Sequence, residues 1–315
     1  MFPELCSISD LDARCLLFQC KFPSRALVSD FDQQLTPFFM TLLESVFITS
    51  RGEKLATYHK KASNTSQRAI VIMHGYAEYV DRYRSFITRL SNEGYHVFAL
   101  DHHGHGRSEG RRALLRSFDT LVSDASDWFV QLKRDNPDFQ WYLFGHSMGG
   151  GIAVNLALLH PQDFRGMLLS GPLLLLPDTV PAMVKFVGRI IARLMPWVPL
   201  IPIDKDGISR DPGVVRRYLA DPMVYSGPIK ARTAIEIDQF TVRIQHRLSE
   251  ITVPFWVGHG SLDRITDPRG SKLLAEKAAS EDKTLKIYNG LFHELLNEPE
   301  AEIVIHDILH WLRRH

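Results

Sequence analysis

The chain has 315 residues, 45% hydrophobic and 23% charged, with a net charge of +1. This is ordinary globular composition with enough apolar material for one large core or two small ones, and its near-neutral balance gives no global field to draw nucleic acid. No uncharged apolar run reaches the roughly 18 residues expected of a membrane-spanning helix. The three cysteines, Cys6, Cys15 and Cys20, all precede residue 21 and fit no zinc spacing. Glu4, Asp10, Asp12 and Arg14 stand where a secretion signal would be apolar. Together with the odd cysteine count they predict a reducing, cytoplasmic setting.

Residues 1–43 are poorly patterned and read as an N-terminal extension, with Leu35–Leu43 apolar enough for a short docking helix. From residue 44 a regular order begins. Ser45–Thr49 and Leu55–Tyr58 flank a hairpin turn at Ser50–Glu53. Ala69–Met73 is a continuous apolar run, as expected of a strand buried on both faces, and ends at His74-Gly75-Tyr76-Ala77-Glu78. A helical stretch, Tyr83–Glu93, precedes the strand Val97–Leu100, which ends at Asp101 and a loop rich in histidine and glycine. Phe118–Leu132 is helical in period. Trp141–Phe144 and Gly166–Ser170 are strands on either side of a helical run, Ile152–Leu159.

Strands alternating with helices predict an α/β fold, a mostly parallel sheet with helices on both faces. Functional groups then belong at the carboxyl ends of the strands, where His74, Asp101, Ser147 and Ser170 fall. The alternation breaks at Gly171. Residues 172–230 are proline-rich, lack clear strands and read as an inserted helical cap, or lid, dividing a core of 44–171 and 231–315. In the cap, Phe186, Ile190 and Leu194 repeat at helical spacing, with Lys185, Arg189 and Arg193 opposite and Trp197 just beyond. A basic amphipathic helix of this kind suits an acyl chain below it or transient docking on an anionic membrane surface. The order then resumes: a helix at Ala231–Leu248, strands at Val253–Val257 and Thr284–Tyr288, and helices at Pro268–Ala279 and Glu298–Arg314.

Gly145-His146-Ser147-Met148-Gly149 matches G-x-S-x-G between a strand and a helix, which is the setting of a nucleophile elbow. The five-residue pattern alone arises often by chance; the strand before it and the helix after it give it meaning. A serine hydroxyl needs a base, and the base needs an orienting acid. The order Ser147, Asp263, His293 supplies them from loops after strands, with Asp267 as a rival acid. His293 is assigned as base, Asp263 as the acid that fixes its tautomer, and the backbone N–H groups of Tyr76 and Met148 as the oxyanion hole. His74 and His146 are expected to be structural, and His259 to buttress the loop carrying Asp263. His102, His103 and His105 match no metal pattern, so neither metal nor cofactor is expected.

With these residues in place, the chain resembles the monoacylglycerol lipase and lysophospholipase branch of the α/β-hydrolases. The resemblance runs through His74-Gly75, Asp101–Gly110, Gly145–Gly150, Asp221–Tyr225, Gly260–Asp263 and His293–Pro299, over about residues 44–315. It implies a serine esterase with a mobile, membrane-associating cap, acting on fatty-acid monoesters. It also implies that Glu78 and Arg82 help form a glycerol-side pocket. Tyr76 and Tyr79 are bulkier than the family's usual residues there, and Leu296 stands where some members carry a second histidine. The expected reaction is cleavage of monoacylglycerol to glycerol and fatty acid. A lysophospholipase, a short-chain carboxylesterase and a non-enzymatic ligand-binding member are the alternatives.

Overall fold

The computed structural model describes residues 42–177 and 182–315, and for 182–187 the backbone alone. The expectations for residues 1–41 lie outside these limits. An eight-stranded sheet is built from β1 (Leu43–Ile48), β2 (Lys54–Lys60), β3 (Arg68–Met73), β4 (Tyr95–Leu100), β5 (Gln140–His146), β6 (Phe164–Ser170), β9 (Phe255–Gly260) and β10 (Lys283–Tyr288). The spatial order is β1-β2-β4-β3-β5-β6-β9-β10. β1 and β2 pair antiparallel with each other, as does β2 with β4; every other neighbour is parallel. Leu43, expected to close a short helix, instead opens β1 opposite His59.

Period-2 alternation divides the apolar run of β3 between two cores. Ala69, Val71 and Met73 join the core formed with α2 (Phe118–Asp135), α3 (Met148–Leu159) and α6 (Ala231–Gln245). Ile70 and Ile72 face the other core, built with α1 (Arg84–Asn92) and α8 (Ala301–Leu312). A sheet covered on both faces explains why its central strands read as unbroken apolar runs. Helix starts follow capping chemistry. Ser117 Oγ accepts the Thr120 N–H ahead of α2, and Asp267 caps α7 (Pro268–Lys277) with Pro268 in its first turn. The terminal helix starts at Ala301, not Glu298, because the residue before Pro299 is held extended.

After β6 the chain leaves the sheet and returns through α6. The excursion contains α4 (Ala182–Leu194) and α5 (Pro212–Ala220), and also a short antiparallel ribbon of β7 (Pro199–Ile201) and β8 (Ile229–Lys230). The ribbon contradicts the expectation of no strands here. Its two members are two and three residues long, too short to carry a readable period, and prolines bracket the first.

Candidate active site

β3, β4 and β5 end one residue before His74, Asp101 and Ser147; β9 and β10 end shortly before Asp263 and His293. All five therefore gather at the carboxyl edge of the parallel strands. Ser147 has φ +52° and ψ −120°, a conformation that strains any non-glycine residue. The strain is held from several sides. The Ser147 N–H donates to Ser170 O at 3.1 Å, and the Leu173 N–H donates to Ser147 O at 2.9 Å. The glycines beside it are sterically required: a Cβ on Gly149 would lie 2.0 Å from Met73 O, and one on Gly145 2.4 Å from Gly149 O.

His293 Nδ1 donates to Asp263 Oδ2 at 2.7 Å. The other Asp263 oxygen accepts the N–H groups of Ile265 and Thr266 at 2.8 and 3.0 Å, and the Thr266 hydroxyl lies 2.9 Å from Oδ2. Asp267, the rival acid, is occupied at the start of α7, where it accepts the Arg269 N–H. Burial opposes charge on Asp263, but His293 and His259 outweigh it and hold the carboxyl well below the usual range. Burial likewise favours a neutral His293, and the facing Asp263 overrides it, raising the ring above ordinary imidazole. The His293 ring packs 4.7 Å from that of His146, the residue preceding Ser147. His146 itself donates from Nδ1 to Ser170 O, and burial with His293 nearby pushes it down to about 4. It stays neutral at physiological pH.

Met148 opens α3, so its N–H is one of those a helix leaves without an internal partner. Tyr76 lies in the loop after β3 next to Ala77, which has φ +69°. That loop abuts the serine: a Cβ on Gly75 would lie 3.3 Å from Ser147 Cβ. The Tyr76 side chain points to Ala113 O, to which its hydroxyl donates at 2.9 Å. Segments from the excursion grip both sides. The Tyr225 N–H donates to Ala77 O at 2.8 Å, and the Glu294 N–H donates to Ile208 O at 2.9 Å.

Glu78 and Arg82 form a buried network. Glu78 Oε1 accepts from the Gly75 N–H and the Tyr83 hydroxyl, each at 2.6 Å. Arg82 reaches Glu78 at 3.1 Å and grips Glu294 with both terminal nitrogens. Burial raises the cost of charge on Glu78, yet Arg82 and nearby histidines hold its carboxyl below its ordinary value. Beside Arg82 lies a polar cavity of about 220 Å³, shared with Tyr79, Asp81, Arg217, Tyr218 and Asp221. A larger cavity of about 620 Å³ lies apart, between Glu53, Arg111, Arg116, Trp197 and Arg232.

The His74 ring packs 4.3 Å from His102 and 5.5 Å from His105. His74 Nε2 accepts the His102 N–H; His103 faces Glu53; His105 Nδ1 donates to His103 O. Ile190, Leu194 and Trp197 are 49%, 69% and 52% exposed, so the cap presents apolar surface outward. The side chain of Phe186 lies outside the described residues. Sequence reasoning missed Thr266, whose position three residues after Asp263 is the spacing of a local side-chain turn.

A strained serine between strand and helix, and an Asp–His pair at the same sheet edge, define the α/β-hydrolase class of serine hydrolases. Comparison with known proteins narrows the class. A family profile described as serine aminopeptidase, S33, matches residues 64–300. A monoacylglycerol lipase of Mycolicibacterium smegmatis is 39% identical over 80% of this chain and 90% of that protein. The human monoglyceride lipase is 35% identical over 84% and 88%. The crystal structure of a soluble variant of monoglyceride lipase from Saccharomyces cerevisiae, in complex with a substrate analog, superposes with a TM-score of 0.76 at 25% identity, covering 87% of this chain and 95% of that one. The chain belongs to the monoacylglycerol lipase family of serine ester hydrolases.

Proposed function

We propose that the protein hydrolyses monoacylglycerols to glycerol and free fatty acid through an acyl–Ser147 intermediate. The observation that carries this is the buried 2.7 Å pair of Asp263 and His293 at the same sheet edge as the strained Ser147. Nδ1 of His293 is committed to Asp263, which leaves Nε2 as the basic nitrogen. It takes the Ser147 proton as the hydroxyl attacks the ester carbonyl and returns it to the departing glycerol oxygen; water then repeats the cycle on the acyl-enzyme. The Met148 and Tyr76 N–H groups receive the oxyanion. Glu78 holds the Gly75–Tyr76 loop in place, and Arg82 lines the polar cavity on the alcohol side.

The exposed Ile190, Leu194 and Trp197, with Arg189 and Arg193, support transient docking of the cap on a membrane surface that presents the substrate. Among the described residues no helix is long and apolar enough to cross a membrane. The relatives at 35–39% identity carry lipase names, which favours an ester over the peptide that the family profile's name suggests. Arg217 beside Arg82 favours one second reading, a phosphate-bearing lysophospholipid, although Asp81 and Asp221 share that cavity wall. A panel of monoacylglycerol, lysophosphatidylcholine and p-nitrophenyl esters, run with wild type and Ser147→Ala, is the test. Fatty acid released by Ser147→Ala at the wild-type rate would sink the acyl-enzyme reading, and a lysophospholipid preference would move the substrate to the second.

A further inference from the structure

His259 occupies the end of β9 and is fully buried, as is the Asp263 carboxylate. Its Nε2 lies 3.1 Å from Asp263 Oδ2, the same oxygen that receives His293 Nδ1. Its Nδ1 lies 2.7 Å from Ser271 Oγ on α7. An ionised carboxylate is acceptor-only, so Nε2 donates to Asp263 Oδ2, and the Ser271 hydroxyl holds the ring from the other side at Nδ1. One carboxylate oxygen thus serves two imidazoles, one facing the serine and one behind it.

We propose that His259 is a positioning residue for the reaction: by donating to Asp263 Oδ2, with its ring held at Nδ1 by Ser271, it fixes that oxygen for His293 and moderates the charge His293 feels. The inference rests on the reading of Asp263 as the orienting acid. Ile265 and Thr266 anchor Oδ1 through backbone donors, so Oδ2 is the oxygen whose direction depends on side chains. The groups facing His259 are Asp263, Ser271, Thr266 and, at longer range, Asp267. Those facing His293 are Asp263, Glu294, Glu78 and His146.

The test compares kcat, KM and the pH profile of a soluble p-nitrophenyl ester for wild type, His259→Leu, His259→Gln, Ser271→Ala and Asp263→Asn. Losing the donor leaves more of the Asp263 charge directed at His293, so the acid limb of His259→Leu moves up by about 0.5 pH unit. Its kcat falls roughly tenfold with KM unchanged, as expected for a group acting on the chemical step through another residue. A glutamine amide nitrogen reaches where Nε2 stood, so His259→Gln restores kcat to within about threefold and returns the limb. Ser271→Ala moves both readouts the same way by less, and it carries the test if His259→Leu does not fold. An unmoved limb with wild-type kcat overturns the proposal. So does a kcat loss that merely tracks melting temperature in both His259 variants. Wild-type turnover in Asp263→Asn would instead overturn the triad reading beneath it.

Discussion

Arg82 holds Glu294 through two hydrogen bonds of 2.6 and 2.8 Å, tying the loop after β3 to the residue next to His293. The same guanidinium reaches Glu78, whose other oxygen accepts the Gly75 N–H. One largely buried cation therefore joins the loop that carries the Tyr76 N–H to the loop that carries His293.

Removing that cation leaves two buried carboxylates facing each other. Arg82→Met is expected to destabilise the fold by about 3–5 kcal/mol, the cost typical of breaking a buried ion pair from one side. Arg82→Lys keeps the charge but loses the two-pronged grip, so it recovers only part. Urea unfolding at neutral pH measures both. A loss below about 1 kcal/mol for Arg82→Met would mean that solvent or a local shift satisfies Glu78 and Glu294, contrary to this account.

The Asp263–His293 pair predicts the pH behaviour of both activity and stability. His293 must be neutral to act as base, and Asp263 raises its affinity for a proton despite burial. The acid limb of kcat/KM should therefore lie above about 6.5, the ordinary imidazole value. Asp263→Asn should lower that limb and reduce kcat by roughly 10⁴. For stability, the raised His293 contributes fully below its unfolded value and loses that contribution as pH rises through its folded value. The depressed Asp263 contributes fully above its unfolded value and loses that as pH falls. The stability gap between wild type and Asp263→Asn is thus widest between about pH 4 and 6.5. Denaturant melts across that range, and at pH 9, check the sign.

Gly149 is expected to tolerate no side chain. A Cβ there would sit 2.0 Å from Met73 O, and that carbonyl belongs to the central strand beside Ser147. The atoms it would meet, in Met73 and His74, are all backbone, so no flexible side chain can yield. Gly149→Ala should cost more than the about 1–3 kcal/mol typical of overpacking and should sharply reduce fluorophosphonate labelling of Ser147 in whatever protein folds. Full labelling with an unchanged melting temperature would show that α3 can slide on β3.

Much of this was legible in the sequence because it depends on local pattern. The unbroken run Ala69–Met73 announced a strand covered on both faces, and the glycines around Ser147 announced close packing. Strand ends then located His74, Asp101 and Ser147 without any three-dimensional information. What stayed hidden depends on chain segments far apart. Nothing in the spacing says that Arg82 meets Glu294, 212 residues away, or that His259 and His293 share one oxygen of Asp263. The β7–β8 ribbon was invisible for the opposite reason: strands of three and two residues are too short to show a period of two.

The cap supplies the remaining prediction. Leu194 and Trp197 are more than half exposed, and Arg189 and Arg193 are exposed on the helix that ends at Leu194. Apolar side chains in that position are costly in water and gain by entering the headgroup region, while the arginines add attraction to anionic lipid. Each arginine near such a surface contributes about 1 kcal/mol, and salt screens that part. Leu194→Gln with Trp197→Gln should therefore weaken sedimentation with anionic phospholipid vesicles and slow hydrolysis of vesicle-borne monoacylglycerol. Turnover of a short, water-soluble ester should hold, because the change lies outside the Ser147 site. Arg189→Gln with Arg193→Gln should reduce vesicle binding at low salt and make little difference at high salt. Equal losses on the soluble and vesicle-borne substrates would assign these side chains to the acyl-binding surface beneath the cap instead of to its outer face.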